Sequence, residues 1–307
     1  MVSFLSMLPP TLPFISCDWG TSQFRLRWIG GPADGEIRTE DGTARLAAAG
    51  GDRAPRFQRT LESGLEKLGA PAHLPVVISG MASSSIGWRE LPYAGLPFGL
   101  DGRDAVWERL DERTLLISGM RSETNVMRGE ETEAIGLAAS LGSELPARAV
   151  FIHPGTHAKH LEVESSRVMG FRTYMTGELF DLLACHSVLR HSTDPAAPFD
   201  RTAFGEGVAR AQEQPLAAAL FEVRTRQVLA RRDRPSNTSF LSGLLIGAEL
   251  RELRASEFPV ILAASGRLRE AYTAAAETLR LGLIAVAAEP LAALGQAVLL
   301  RRILNQT

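Results

Sequence analysis

Residues 14–28 read Phe14-Ile15-Ser16-Cys17-Asp18-Trp19-Gly20-Thr21-Ser22-Gln23-Phe24-Arg25-Leu26-Arg27-Trp28, and this stretch sets the architecture. An apolar run ends in a polar Asp-Trp-Gly-Thr-Ser turn. Beyond it, Phe24, Leu26 and Trp28 alternate with Arg25 and Arg27, the period-2 pattern of a half-buried strand, so the segment is a hairpin. Working outward, Glu36 to Thr39 continues as strand, and Phe57, Leu61, Leu65 and Leu68 recur at helical spacing. Buried strands follow at 75–79 and 114–118, each running into a Gly-Met pair, with the loop-like SSSIGWRELPYAGLP between them. A helical pattern covers 129–141.

The programme then restarts. Ala149 to Ile152 is an apolar strand ending in His153-Pro154-Gly155-Thr156-His157, with hairpin strands at 159–164 and 167–174. Helical segments fill roughly 177–255. Strand 259–264, helix 266–279, strand 283–288 and a last helix from Pro290 close the chain. A repeated order of elements, without repeated identities, predicts two similar α/β domains flanking a cleft. Gly and Pro in the stretch SLGSELPA mark the break near residue 140. The expected division is a flexible leader over 1–13, an N-terminal domain over 14–140 and a C-terminal domain over 141–307.

Composition narrows the function classes. The 307 residues are 45% hydrophobic and 22% charged, with a formal net charge of −2. That is a globular composition with no general attraction to nucleic acid or anionic membrane, so a small-molecule substrate is expected. The two cysteines, Cys17 and Cys185, form neither a disulfide framework nor a zinc set. The leader lacks a basic start and a cleavage site, and no run of ~20 apolar residues exists. A cytoplasmic protein is expected. P-loop, dinucleotide-fold, nucleophile-elbow and HExxH motifs are all missing from the sequence.

Four constellations can carry chemistry. In the first turn, backbone N–H groups and the hydroxyls of Thr21 and Ser22 can approach phosphate oxygens, Gly20 permits close backbone contact, and Asp18 can hold magnesium. The same residues also suit an ordinary β-turn. The second turn, Gly155-Thr156-His157 with Lys159 beyond, repeats the arrangement. His153 and His157 have a zinc-like spacing, but Pro154 and Gly155 forbid the helix it needs. The third, Arg128-Gly129-Glu130-Glu131-Thr132, puts two acids at a helix start, either as complements to the helix dipole or as a base for a substrate hydroxyl. The fourth, Ala263-Ala264-Ser265-Gly266-Arg267, is a small-residue turn where Ser265 and Gly266 leave room for a flat ligand or serve as a plain strand-to-helix turn.

This order of parts resembles the sugar kinase, hsp70 and actin superfamily. More specific strings resemble the 2-dehydro-3-deoxygalactonokinase family: residues 125–132, Pro154 to His157, Phe171-Arg172-Thr173, Met175 to Leu179 and Leu241 to Glu249. The likeness runs from about Ile15 to the final helix. It implies two ribonuclease H-like domains with an interdomain ATP cleft, ATP and Mg2+ as cofactors, and phosphorylation of the 6-hydroxyl of 2-dehydro-3-deoxy-D-galactonate in galactonate degradation. It also implies catalytic roles for Glu131 and Asp18, with Glu130 second to Glu131 as the base, and puts nucleotide contacts at Gly20, Thr21, Ser22, Gly155, Thr156, His157, Ser265 and Gly266. His153 stands where many relatives carry an acid, which makes the metal more dependent on Asp18. For the sugar acid the candidates are Arg128 and Arg172, joined by Ser84, Trp88, Thr176, Glu178 and Lys159. A kinase of the same fold for another sugar acid such as 2-keto-3-deoxygluconate, and a non-catalytic sensor, are the alternatives. A homodimer is compatible with this reading.

Overall fold

The computed structural model describes residues 12–31, 35–229 and 232–306. The first eleven residues of the expected leader thus lie outside the described residues. The first part of the chain carries β1 (Phe14–Trp19), β2 (Phe24–Ile29), β3 (Glu36–Thr39), α1 (Thr43–Ala48), α2 (Ala54–Leu68), β4 (Val76–Gly80), β5 (Trp107–Arg109), β6 (Thr114–Ile117) and α3 (Glu130–Leu141). Then come β7 (Arg148–His153), β8 (Ala158–Glu164), β9 (Arg167–Tyr174), α4 (Thr176–Asp181), α5 (Arg201–Glu213), α6 (Arg234–Glu249), β10 (Val260–Ala263), α7 (Gly266–Leu279), β11 (Leu283–Val286) and α8 (Leu291–Leu304). No helix among the described residues is long and apolar enough to cross a membrane.

The chain divides into two units. The first holds the chain up to Leu145 with Ser165–Gly170 and the end from Ala288; the second holds Pro146–Glu164 and Phe171–Ala287. The reading of the sequence had run the second domain through to residue 307, whereas the structure groups α8 with the first unit.

In the first unit the sheet order is β3-β2-β1-β4-β6-β5. The β1–β2–β3 meander is antiparallel, whereas β4 and β6 lie parallel to β1. The second sheet repeats this as β9-β8-β7-β10-β11, with β8 antiparallel to β7 and β10 parallel to it. The repeated programme predicted two similar α/β domains, and their sheets are of the ribonuclease H-like kind that the resemblance implies. Parallel strands need covered faces. The face of α2 that bears Phe57, Leu61 and Leu65 supplies one cover, packing on Trp19, Phe24 and Leu26. Trp19 and Phe24 have ring centroids 4.4 Å apart. Burying each such side chain contributes about 1.5–3 kcal/mol.

Within the first unit, α3 and α8 cross at backbone contact. A Cβ on Gly136 would lie 2.0 Å from the Leu291 carbonyl oxygen, and one on Gly295 would lie 1.9 Å from that of Thr132. Gln296, fully buried on α8, donates from Nε2 to the Cys17 carbonyl at 2.9 Å and to Ser79 Oγ at 2.8 Å. The last helix is thereby stitched to β1 and β4.

Candidate active site

The carboxyl ends of β1, β4 and β6 converge with the start of α3, the place where open parallel sheets bind ligands. Gly80 ends β4 at φ +93°, where a Cβ would lie 2.7 Å from the Trp19 carbonyl oxygen. Gly129 precedes α3 at φ +117°, and its own added Cβ would stand 3.5 Å from Gly80 Cα. Only glycine accommodates both backbones, so this close approach brings Asp18 to the head of α3.

Asp18 keeps a side chain 41% exposed, 3.8 Å from Arg25 Nη1. Partial desolvation raises its pKa; the charges of Glu133 and Glu130 push the same way, against Arg25 and Arg27. Glu130 and Glu133 are one turn apart on one face of α3. Glu131 is turned inward and is 2% exposed. Its Oε2 accepts from Gly129 N at 2.7 Å and its Oε1 from Thr132 Oγ1 at 2.9 Å. Burial, and next the charge of Glu130, raise the Glu131 pKa to about 7 despite those bonds. Glu130 is partly exposed and accepts from Arg128 N at 3.0 Å.

Arg128 extends from the same loop. Its Nη1 donates to Ser83 Oγ at 2.6 Å and to Ser118 Oγ at 3.3 Å, and its guanidinium lies 4.1 Å from the centre of the Tyr93 ring. Ser83 and Ser118 are buried at strand ends and hold the planar fork in one orientation. Ser84 is also buried, but its hydroxyl donates to the Met81 carbonyl at 2.7 Å. Trp88 packs against the core beside Trp19 and Phe57, with centroids 6.2 Å from each.

The first turn rests on α1. Gly20 N donates to the Gln23 carbonyl at 2.9 Å, while Thr43 N and Ala44 N donate to the carbonyls of Gly20 and Thr21, each at 3.0 Å. Thr21 and Ser22 are exposed. In the second unit, Thr156 and His157 are likewise exposed on their turn, with Gly155 half-buried. His157 Nε2 meets Glu178 Oε2 at 2.5 Å, and Lys159, 3% exposed, donates from Nζ to the His157 carbonyl at 2.7 Å. Thr176 Oγ1 bonds Glu249, and Arg172 pairs with Glu252 at an exposed position. Ser265 stands at the N-cap position of α7 in extended backbone without a side-chain capping bond, and Gly266 follows at φ +53° with open space beside it.

The structure therefore brings Asp18, Glu130 and Arg128 together in the first unit, and His157, Lys159 and Glu178 together in the second. It gives Thr176, Ser84 and Trp88 internal partners. Sequence reasoning missed Glu133, Ser83, Ser118 and Tyr93. The three-residue step from Glu130 to Glu133 was a signal, as was the string Ser-Gly-Met repeated at 79–81 and 118–120. Nothing local pointed to Tyr93.

The family model described as 2-keto-3-deoxy-galactonokinase matches residues 18–299. The chain belongs to the 2-keto-3-deoxy-galactonokinase family. A Rhizobium meliloti (strain 1021) protein named probable 2-dehydro-3-deoxygalactonokinase is 37% identical over 292 residues, covering 90% of this chain and 92% of its own length. The 2-dehydro-3-deoxygalactonokinase of Escherichia coli (strain K12) is 33% identical over 288 residues, covering 91% and 94%. A crystal structure from Sinorhizobium meliloti that carries the same activity name superposes with a TM-score of 0.84 at 35% identity, over 94% of this chain and 96% of that one. The likeness to the 2-keto-3-deoxy-galactonokinase family thus takes in both turns, the head of α3 and the α7 turn.

Proposed function

We propose that this chain catalyses ATP-dependent phosphorylation of 2-dehydro-3-deoxy-D-galactonate at its 6-hydroxyl, releasing ADP. Membership of the kinase family supports the phosphoryl transfer, and the observation that carries the site is the convergence of Asp18, Glu130 and Arg128 at the strand ends of the first unit.

The residues present suit magnesium. Asp18 sits in a field of like charge from Glu133 and Glu130 that a divalent cation offsets, and carboxylates are the hard oxygen donors that ion takes. Among the described residues no three His, Cys, Asp or Glu side chains cluster as a closed metal cage. Magnesium commonly keeps its waters and uses one or two carboxylates, so Asp18 would hold it, with Glu133 acting through water. When bound, the ion supplies charge neutralisation on phosphate oxygens. In the first unit Thr21, Ser22 and the turn amides are candidate donors to phosphate oxygens; in the second unit Thr156 is another, and Ser265 and Gly266 are the candidates for the nucleoside.

Glu130 is the base in this reading. The resemblance implies Glu131 first, but a base must reach the proton it takes, and Glu131 is buried with both oxygens engaged. Glu130 accepts the proton of the substrate hydroxyl as its oxygen attacks the γ-phosphorus and the bond to the β–γ bridging oxygen breaks. Arg128, held flat by Ser83, Ser118 and Tyr93, orients the α-keto carboxylate.

A coupled ADP-release assay over keto-deoxy acids and aldonates tests this. Turnover is expected on 2-keto-3-deoxygalactonate, with kcat/KM above that for the gluconate epimer. Glu130→Gln should lose about 10²–10⁴-fold in kcat. Full activity in Glu130→Gln with loss in Glu131→Gln would reverse the choice of base. Tight ligand binding without ADP release on any acid would replace the kinase with a sensor.

A further inference from the structure

The second unit contains a buried carboxylate that the proposed chemistry leaves unused. Glu249 ends α6 and is 3% exposed. Its Oε1 lies 2.8 Å from His160 Nε2 on β8, and the Tyr272 hydroxyl on α7 lies 2.9 and 2.8 Å from its two oxygens. The third donor is the Thr176 hydroxyl, at the first residue of α4. His160 and Tyr272 are themselves buried, at 5% and 2% exposure. Four elements therefore meet on one side chain. The two carboxyl oxygens can accept from the Tyr272 and Thr176 hydroxyls and meet His160 Nε2; an amide in their place would turn an NH2 group toward one of these partners.

What this junction holds is the second Gly-Thr turn. Immediately after Thr176, Gly177 packs so closely that a Cβ would lie 2.4 Å from the Gly155 carbonyl oxygen and 2.8 Å from Thr156 Cα. Glu178 N donates to the Thr156 carbonyl at 3.0 Å, and the Glu178 side chain meets His157. Gly155, Thr156 and His157 thus each meet Gly177 or Glu178, the two residues that follow Thr176. Displacing the head of α4 displaces the turn.

We propose that Glu249 is the positioning residue of the second turn, fixing the head of α4, and through it Gly155-Thr156-His157, in the geometry that receives phosphate oxygens. The phosphate role rests on the kinase reading above; the mechanical link does not. Glu249 touches neither reactant. It acts by holding Thr176 in place, which is why Thr176, an expected sugar-acid contact, faces inward instead.

Thr176→Val in the full-length protein deletes one hydroxyl at nearly constant volume, and Glu249→Gln deletes the charge. Hydrogen–deuterium exchange of the amides at 155–157, without ligand, should quicken in both variants and return to the parent rate in Thr176→Ser. In turnover assays Thr176→Val should raise KM for ATP and lower kcat/KM by up to about 10²-fold, the scale of a small misplacement of a reacting group. KM for the sugar acid should stay at the parent value, and Thr176→Ser should recover. Unchanged exchange at 155–157 would overturn the proposal, whatever the kinetics. A rise in KM for the sugar acid alone would overturn it and make Thr176 a substrate contact. Equal losses on both substrates with a lowered unfolding temperature would overturn it by reducing the junction to general stability. Should Glu249→Gln fail to fold, the two Thr176 variants decide. Because the exchange measurement needs no catalysis, it stands even if the protein phosphorylates no keto-deoxy acid.

Discussion

At Glu131 two demands fall on one carboxyl group. Its oxygens satisfy the Gly129 N–H and the Thr132 hydroxyl, while burial and the neighbouring Glu130 oppose its charge and raise its pKa to about 7. Between its ordinary value of 4.5 and about 7 the folded protein binds this proton and the unfolded chain does not. The associated stability is fully present below 4.5 and is lost as pH rises to about 7, where it levels off roughly 3 kcal/mol lower. Urea unfolding should therefore show Glu131→Gln gaining on the parent protein between pH 5 and pH 8; a gap independent of pH would contradict the buried-charge account. Asp18, pressed by desolvation and by Glu133 and Glu130, leads to a related expectation. Asp18→Asn should abolish turnover yet raise the unfolding midpoint of the ligand-free protein above neutral pH, a trade of stability for function. For Arg128, lysine keeps the charge and loses the fork, so Arg128→Lys should raise KM for the sugar acid roughly 10–100-fold with KM for ATP unmoved. Asp18, Glu130 and Arg128 were legible because each sits in a local string with a chemical signature. Ser83 and Tyr93 were not, since their relevance comes from Arg128 reaching 45 and 35 residues back along the chain (128 − 83 and 128 − 93) to groups with no motif of their own.

At the level of elements, period and punctuation carried most of the fold. The alternation of Phe24, Leu26 and Trp28 gave β2, and the spacing of Phe57, Leu61 and Leu65 gave α2. The edge strand Trp107–Arg109 escaped because three residues are too few to show a period. The small residues of α3 and α8 permit a close crossing of the two helices. Its closeness is what the structure adds, and it makes a sharp demand: Gly136→Val or Gly295→Val must separate two backbones. Either change should destabilise the first unit by about 1–3 kcal/mol or more, measured as a lower urea midpoint, whereas Gly142→Ala, whose Cβ position is open space, should act only through its left-handed backbone. Equal effects at all three positions would argue against a close helix crossing.

For the whole molecule, the repeated sheet order was readable from the repeated programme of elements, and the sharing out of the chain was not. Composition near residue 140 marks a boundary in sequence, yet contacts return the segment from Ala288 to the first unit. Deleting residues 288–307 should consequently spare the second unit. Exchange protection in β7, β8 and β10 should survive, while that of β1 and β4 collapses with the loss of the Gln296 bonds. Protection lost first from the second sheet would contradict this assignment.

The placement of α8 also bears on how the protein is made. A ribosome delivers β1 and β4 early, but the helix that seals them leaves the exit tunnel much later. Every strand and helix of the second unit emerges before it. The first-made unit is therefore finished only after the second has emerged, and until α8 arrives β1 and β4 await their cover.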